Sequence, residues 1–170
     1  MKLAALILTG VLGSCGSWSA HAQVPAIIGT WKLNVAASRF PEPAPQSEVR
    51  SYRLTSGGVL IGLAVNIDAR GRPNFLQFAA RPDGKDYPEF DTRSAAEYLA
   101  EGKAPFRTYA EIPTADPLKV HWADKADGKL ISSGDKWVSK DGKLLSFTVD
   151  ATDRKGNKVQ FLYVFDRTGP

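Results

Sequence analysis

The sequence predicts an all-β fold of short antiparallel strands, a sandwich or a barrel. Turn signals recur at hairpin spacing, and the runs between them alternate apolar and polar as half-buried strands do. The third observation is length: 170 residues suit one domain, and two would be cramped.

The turns come first, because they fix the strand limits. Ser56-Gly57-Gly58, Ala69-Arg70-Gly71, Asp83-Gly84, Asp127-Gly128, Asp141-Gly142 and Lys155-Gly156 punctuate the chain. Glycine supplies positive φ in such turns, and aspartate tolerates it or bonds the neighbouring backbone. Strands are expected at 29–35, 49–55, 59–68, 74–80, 85–90, 106–112, 118–126, 129–138, 144–151 and 159–166. In the third, Val59, Ile61, Leu63, Val65 and Ile67 share the apolar face, opposite Gly62, Ala64, Asn66 and Asp68. Leu118, Val120 and Trp122 alternate with Lys119, His121 and Ala123, while the last strand is apolar on both faces.

Two segments interrupt the meander. The prolines of Phe40-Pro41-Glu42-Pro43-Ala44-Pro45 cannot donate ladder bonds, so this stretch should be an extended loop. Between Ser94 and Gly102, Ser94 with Glu97 forms a capping box, the alanines and Leu99 favour helix, and Gly102 suits the stop. One short helix is expected near 94–102.

The N-terminus has the order of a secretory signal. Lys2 is basic, Leu3 to Leu12 is nearly unbroken apolar, and Ala20-His21-Ala22 precedes Gln23 as an A-x-A cleavage site. The apolar run is well short of the roughly 20 residues a spanning helix needs. Residues 1–22 are thus expected to be a signal peptide and 23–170 the mature domain, periplasmic or secreted. Leu12-Gly13-Ser14-Cys15 is a rival site resembling a lipobox, in which Cys15 would carry lipid and anchor the protein to a membrane. Cys15 is the only cysteine, so a cut after Ala22 leaves a domain that relies on its core and not on disulfides.

Composition narrows the chemistry. A net charge of +4, with basic residues scattered in or beside turns, gives no reason to expect a nucleic-acid partner; it suits a solvated surface, or weak attraction to an anionic envelope. Beyond the export segment there is one histidine, His121, and its parity points it away from the apolar face. Common zinc sites and a Cys–His nucleophile are therefore excluded, and no G-x-S-x-G elbow is present. Phosphate-cradling glycine loops are absent as well. No cofactor, metal or catalytic residue is nominated, and the protein is not expected to be an enzyme.

Gly29-Thr30-Trp31-Lys32-Leu33-Asn34 matches the G-x-W motif that opens the first strand of lipocalin-type barrels. Ser38-Arg39-Phe40, Asp83-Gly84-Lys85-Asp86-Tyr87-Pro88, Val138-Ser139-Lys140-Asp141-Gly142-Lys143 and Val164-Phe165-Asp166-Arg167 keep it company. Together they resemble a family of small bacterial exported lipocalin-like proteins of largely unassigned function, over nearly all of the mature chain. The departure is at about 91–105, where the helical insert replaces a plain loop. The resemblance implies one up-and-down antiparallel lipocalin-like barrel of eight to ten strands, whose G-x-W tryptophan packs under a C-terminal arginine. Here the structural cap would be Gly29, Trp31 and Arg167. Parity agrees: ten strands return Arg167 to the end where Trp31 begins, and set the Pro-rich loop and the helix together at the other rim.

Aromatic residues spread over most strands are the lead to a site. They form a filled core, or they wall a cavity suited to an apolar or flat ligand. The lumen candidates are Tyr52, Leu63, Phe78 and Phe106, with Trp122, Trp137 and Tyr163. Asp135 joins them if Ile131, Ser133, Asp135 and Trp137 face inward; the alternative face is Leu130, Ser132, Gly134, Lys136 and Val138. The expected function is an exported barrel binding a small hydrophobic or amphipathic molecule. The alternatives are an envelope structural or interaction protein with a filled core, and an enzyme using carboxylates or tyrosines. An inward cluster of perturbed titratable groups would favour the last.

Overall fold

The computed structural model describes residues 26–40, 43–153 and 155–170. The expected signal peptide, its cleavage site and Cys15 lie outside the described residues.

Ten strands alternate direction along the chain: β1 (Gly29–Leu33), β2 (Ser47–Leu54), β3 (Leu60–Ile67), β4 (Pro73–Ala80) and β5 (Tyr87–Asp91). After helix α1 (Thr92–Glu101) come β6 (Arg107–Pro113), β7 (Lys119–Ala126), β8 (Lys129–Val138), β9 (Leu144–Thr152) and β10 (Lys158–Gly169). Each strand pairs antiparallel with its sequence neighbours, and β10 closes the barrel on β1 with Trp31 opposite Arg167 and Leu33 opposite Phe165. Closure leaves no free sheet edge to manage. The seam is loosest at β5, which keeps only the pairs Tyr87–Tyr109 and Pro88–Thr108 with β6.

The strands lie within a few residues of the expected limits, but the helix starts earlier. Asp91, not Ser94, is the N-cap: its carboxylate accepts the Ser94 N–H at 2.7 Å. Both residue types cap well, and Asp91 prevails because it ends β5 in extended backbone. Gly102 closes the helix in the left-handed region, φ 70°, with its N–H bonded to the Tyr98 carbonyl. No helix residue is buried, so α1 lies on the rim and not in the core.

Trp31, Leu60, Leu145 and Phe165 are fully buried at the closed end. Residues 26–28 cross beneath them, held by Arg167: its guanidinium donates to the Ala26 carbonyl (2.9 Å), the Ile28 carbonyl (2.8 Å) and the Gly142 carbonyl (2.6 Å). The same guanidinium sits 4.1 Å from the centre of the Trp31 ring. The Trp31 indole N–H donates to the Ile27 carbonyl at 2.8 Å. Gly29 has φ 137°, and a Cβ there would come 2.6 Å from the Arg167 guanidinium, so this close approach needs glycine.

One face assignment is reversed. On β3 the interior face is Leu60, Gly62 and Ala64, while Ile61, Leu63 and Val65 point outward. The apolar face loses because the inner wall must be thin there. The Phe78 ring occupies the space where a Cβ on Gly62 would stand, and stacks on Tyr109 with centroids 3.9 Å apart. β3 thus presents a row of β-branched and leucine side chains to solvent, beside Val49 and Phe75 on its neighbours.

Candidate ligand-binding site

Each strand contributes every second side chain to the lumen, and several place a charged residue two positions from an aromatic. β2 brings Arg50 beside Tyr52, β6 brings Glu111 beside Tyr109, and β7 brings Asp124 beside Trp122. β5 adds Glu89 and Asp91, and β8 adds Lys136. All of these acids and Lys136 are buried, as is Glu48 at the start of β2.

Most of this charge is paired, as burial demands. Lys136 Nζ lies 2.7 Å from Glu111 Oε1 and 2.6 Å from the Tyr109 hydroxyl, which itself donates to Glu111 at 2.6 Å. Burial, followed by the adjacent Glu111, pushes the Tyr109 hydroxyl well above the usual tyrosine pKa. Arg50 bonds the Glu48 carboxylate and covers the Phe147 ring at 4.4 Å. Arg107 bridges the gap where β5 and β6 part, 3.5 Å from both Glu89 and Asp91.

Three carboxyls are less well served. Glu89 Oε2, Asp91 Oδ2 and Asp124 Oδ1 are buried and have no hydrogen-bond partner among the described residues, and Arg107 Nε and Thr108 Oγ1 beside them have none either. Nor has the Trp122 indole N–H. Burial first, then the neighbouring Asp124, pushes Glu89 up to about 8, and burial likewise raises Asp124. Glu89 therefore carries a proton near neutral pH.

Glu89, Asp124 and Trp122 line one cavity of about 190 Å³ in the upper lumen, walled by Phe78, Phe147 and Tyr163 among others. At the rim it meets a cleft of about 390 Å³, with which it shares Leu76, Arg93 and Tyr163. Pro43 and Pro45 form one lip of that cleft, and Thr92 and Arg93 of α1 the other. The lumen thus opens between the proline-rich loop and the first turn of the helix. It is neither filled nor purely apolar.

Of the residues expected inside, Tyr52, Phe78, Trp122 and Tyr163 face the lumen. Four do not. Leu63 is outside for the reason given above. Asp135 lies on the outer face of β8, paired with Lys119 at 2.7 Å and His121 at 3.2 Å, and the Lys119 hydrogen bond lowers its pKa. Trp137 shares that outer face, because Gly134, Lys136 and Val138 take the inner one. Gly134 fixes this parity: a Cβ there would collide with the Thr148 backbone of β9. Phe106 precedes β6 and is 62% exposed, its N–H bonded to the Asp127 carboxylate across the rim. The lumen acids and Arg50 escaped the sequence reading, although for Arg50, Glu111 and Asp124 the i, i+2 spacing from inward aromatics carried the signal; Lys136 stood on the alternative face of β8 that the sequence left open.

No protein-family model and no curated protein matches the chain. Among solved structures, the wild-type fluorescent protein UnaG matches with a TM-score of 0.51 and 14% identity, covering 83% of this chain and 96% of that one. The fold is lipocalin-like. At that identity the likeness extends to the lipocalin-like barrel fold and stops short of the occupant.

Proposed function

We propose that the protein is an exported lipocalin-like barrel that binds a small amphipathic molecule in its upper lumen. The carrying observation is the cavity lined by Glu89, Asp124 and Trp122, open to the rim, with aromatic walls and side chains that carry unpaired buried polar atoms. A site with apolar walls and a few convergent polar groups is the usual form of a small-molecule pocket. The inner cavity is below the roughly 300–1,000 Å³ of drug-sized sites, so a larger ligand would seat its head inside and its tail in the rim cleft. Export rests on the order of residues 1–22, with lipidation at Cys15 as the alternative route to the envelope.

The test is dye binding to the purified protein and to a Leu76→Trp variant that fills the throat. An environment-sensitive amphipathic dye should bind the first and not the second, both being folded. Equal binding would move the site to the outer apolar face of β3.

Glu89, held protonated beside Asp124, favours a second reading: proton transfer to a bound molecule. Asp124 would then take an acidic C–H proton of a lumen-bound carbonyl compound while Glu89 protonates its carbonyl oxygen; solvent deuterium would enter that position, and Glu89→Gln would abolish the exchange.

A further inference from the structure

The lumen is short of positive charge at one place. Its buried acids are Glu48, Glu89, Asp91, Glu111 and Asp124, and the cations that face them from inside are Arg50, Arg107 and Lys136. Arg50 serves Glu48, and Lys136 serves Glu111. Arg107 is divided between Glu89 and Asp91, and Asp91 also caps α1 and meets the exposed Arg93. Among the described residues, the one hydrogen-bond donor to Asp124 is Ser132 Oγ at 3.2 Å.

Two of the three orphaned carboxyl oxygens, Glu89 Oε2 and Asp124 Oδ1, belong to side chains that line the same cavity. Most other groups near them have partners: Tyr109 of β6, Lys136 of β8 and Arg50 of β2 are paired, and Phe78, Phe147 and Tyr163 contribute ring faces. Arg107 of β6 reaches Glu89 and Asp91 through one guanidinium nitrogen and leaves its Nε without a partner among the described residues. Aromatic faces favour a cation above them, and a buried carboxylate requires one or a proton.

We propose that the lumen selects a ligand with a cationic nitrogen group, an amine or amidine on a flat apolar body, seated between Glu89 and Asp124. This rests on the lumen being a ligand site. Two N–H donors of the ligand would satisfy Glu89 Oε2 and Asp124 Oδ1, and a ligand acceptor would meet the Trp122 indole N–H. In the free protein the carboxyl pair holds a proton, so the ligand's charge replaces it. Binding therefore releases a proton to solvent and strengthens as pH rises through the Glu89 titration, provided the ligand remains charged. Arg107, Asp91, Glu111, Lys136, Arg50, Tyr109, Tyr163 and the rim Arg93 are the other charged or titratable groups around the pair.

The probes are benzamidinium, its neutral isostere benzamide, and benzoate, measured by calorimetry in two buffers of different ionisation enthalpy. Benzamidinium should bind about tenfold or more tighter than benzamide, the difference between a charged and a neutral hydrogen-bonded head. It should release a proton, and Glu89→Gln or Asp124→Asn should remove both the preference and the release. If the variants fail to fold, the proton release and pH dependence of the unaltered protein decide alone. Benzamide or benzoate binding as well as benzamidinium would overturn the cation preference and leave the lumen site standing. Failure of all three to bind would overturn both.

Discussion

Lys136 Nζ lies 2.7 Å from Glu111 Oε1, with both side chains almost wholly buried in the barrel. Such a pair contributes little beyond what an apolar pair of similar volume would, but removing one partner strands a charge. Lys136→Met should therefore destabilise the protein by about 3–5 kcal/mol, and Lys136→Met with Glu111→Leu should recover most of the loss. Urea denaturation of the single and double variants measures both. A single variant of unchanged stability would contradict the pairing.

The closed end makes a separate claim. Arg167 joins a ring contact with Trp31 to hydrogen bonds on three loop carbonyls. Arg167→Ala should cost about 2–4 kcal/mol, from the lost cation–π contact and the carbonyls left without their donor. Arg167→Lys should cost less but not nothing, since an ammonium cannot span the same fork. Thermal melts of both variants check the order.

Gly62 tests the reversed face of β3. Gly62→Ala drives a methyl group into the Phe78 ring, and overpacking of that kind costs about 1–3 kcal/mol. Leu63→Thr, on the outer face, should change stability by less than about 0.5 kcal/mol, as surface substitutions usually do. Were Leu63 a lumen residue, the order would be reversed.

The pH dependence follows from Glu89. Its pKa is raised in the folded state to about 8 from an ordinary 4.5, so the folded protein binds a proton that the unfolded chain has released. Its stabilising contribution is complete below the unfolded pKa and is lost as pH rises from there through the folded value. Asp124, also raised, acts in the same direction. Stability measured by denaturant midpoint should fall between about pH 4.5 and 8, and Glu89→Gln should flatten that slope. A slope equal in the variant would place the proton elsewhere.

The fold was legible because turns and alternation are local signals. Asp83-Gly84 and Asp141-Gly142 mark their hairpins, and an even strand count brings Arg167 back to Trp31, where the two pair in register. The inner face was less legible, since alternation says that two faces differ without saying which is in. For β3 and β8 the choice falls to Gly62 and Gly134, and each is set by a neighbouring strand that local pattern does not name. The acids were hidden by the same rule. Apolar-inside reasoning turns Phe90 inward, whereas β5 buries Glu89 and Asp91 and leaves Phe90 65% exposed. A polar lumen becomes visible only when Arg107, far along the chain, is seen to meet them.

Trp122 offers the most direct test that the lumen binds a ligand. It lines the cavity and its indole N–H has no partner among the described residues, while that of Trp31 is bonded to Ile27 and Trp137 lies on the outer face. In a ¹⁵N-labelled sample, the indole N–H resonances should be followed through titration with small amphipathic amines, alcohols and acids. A ligand that shifts the Trp122 signal and leaves Trp31 and Trp137 in place is the predicted result. Titrations that never move Trp122, or that move only Trp137, would contradict it.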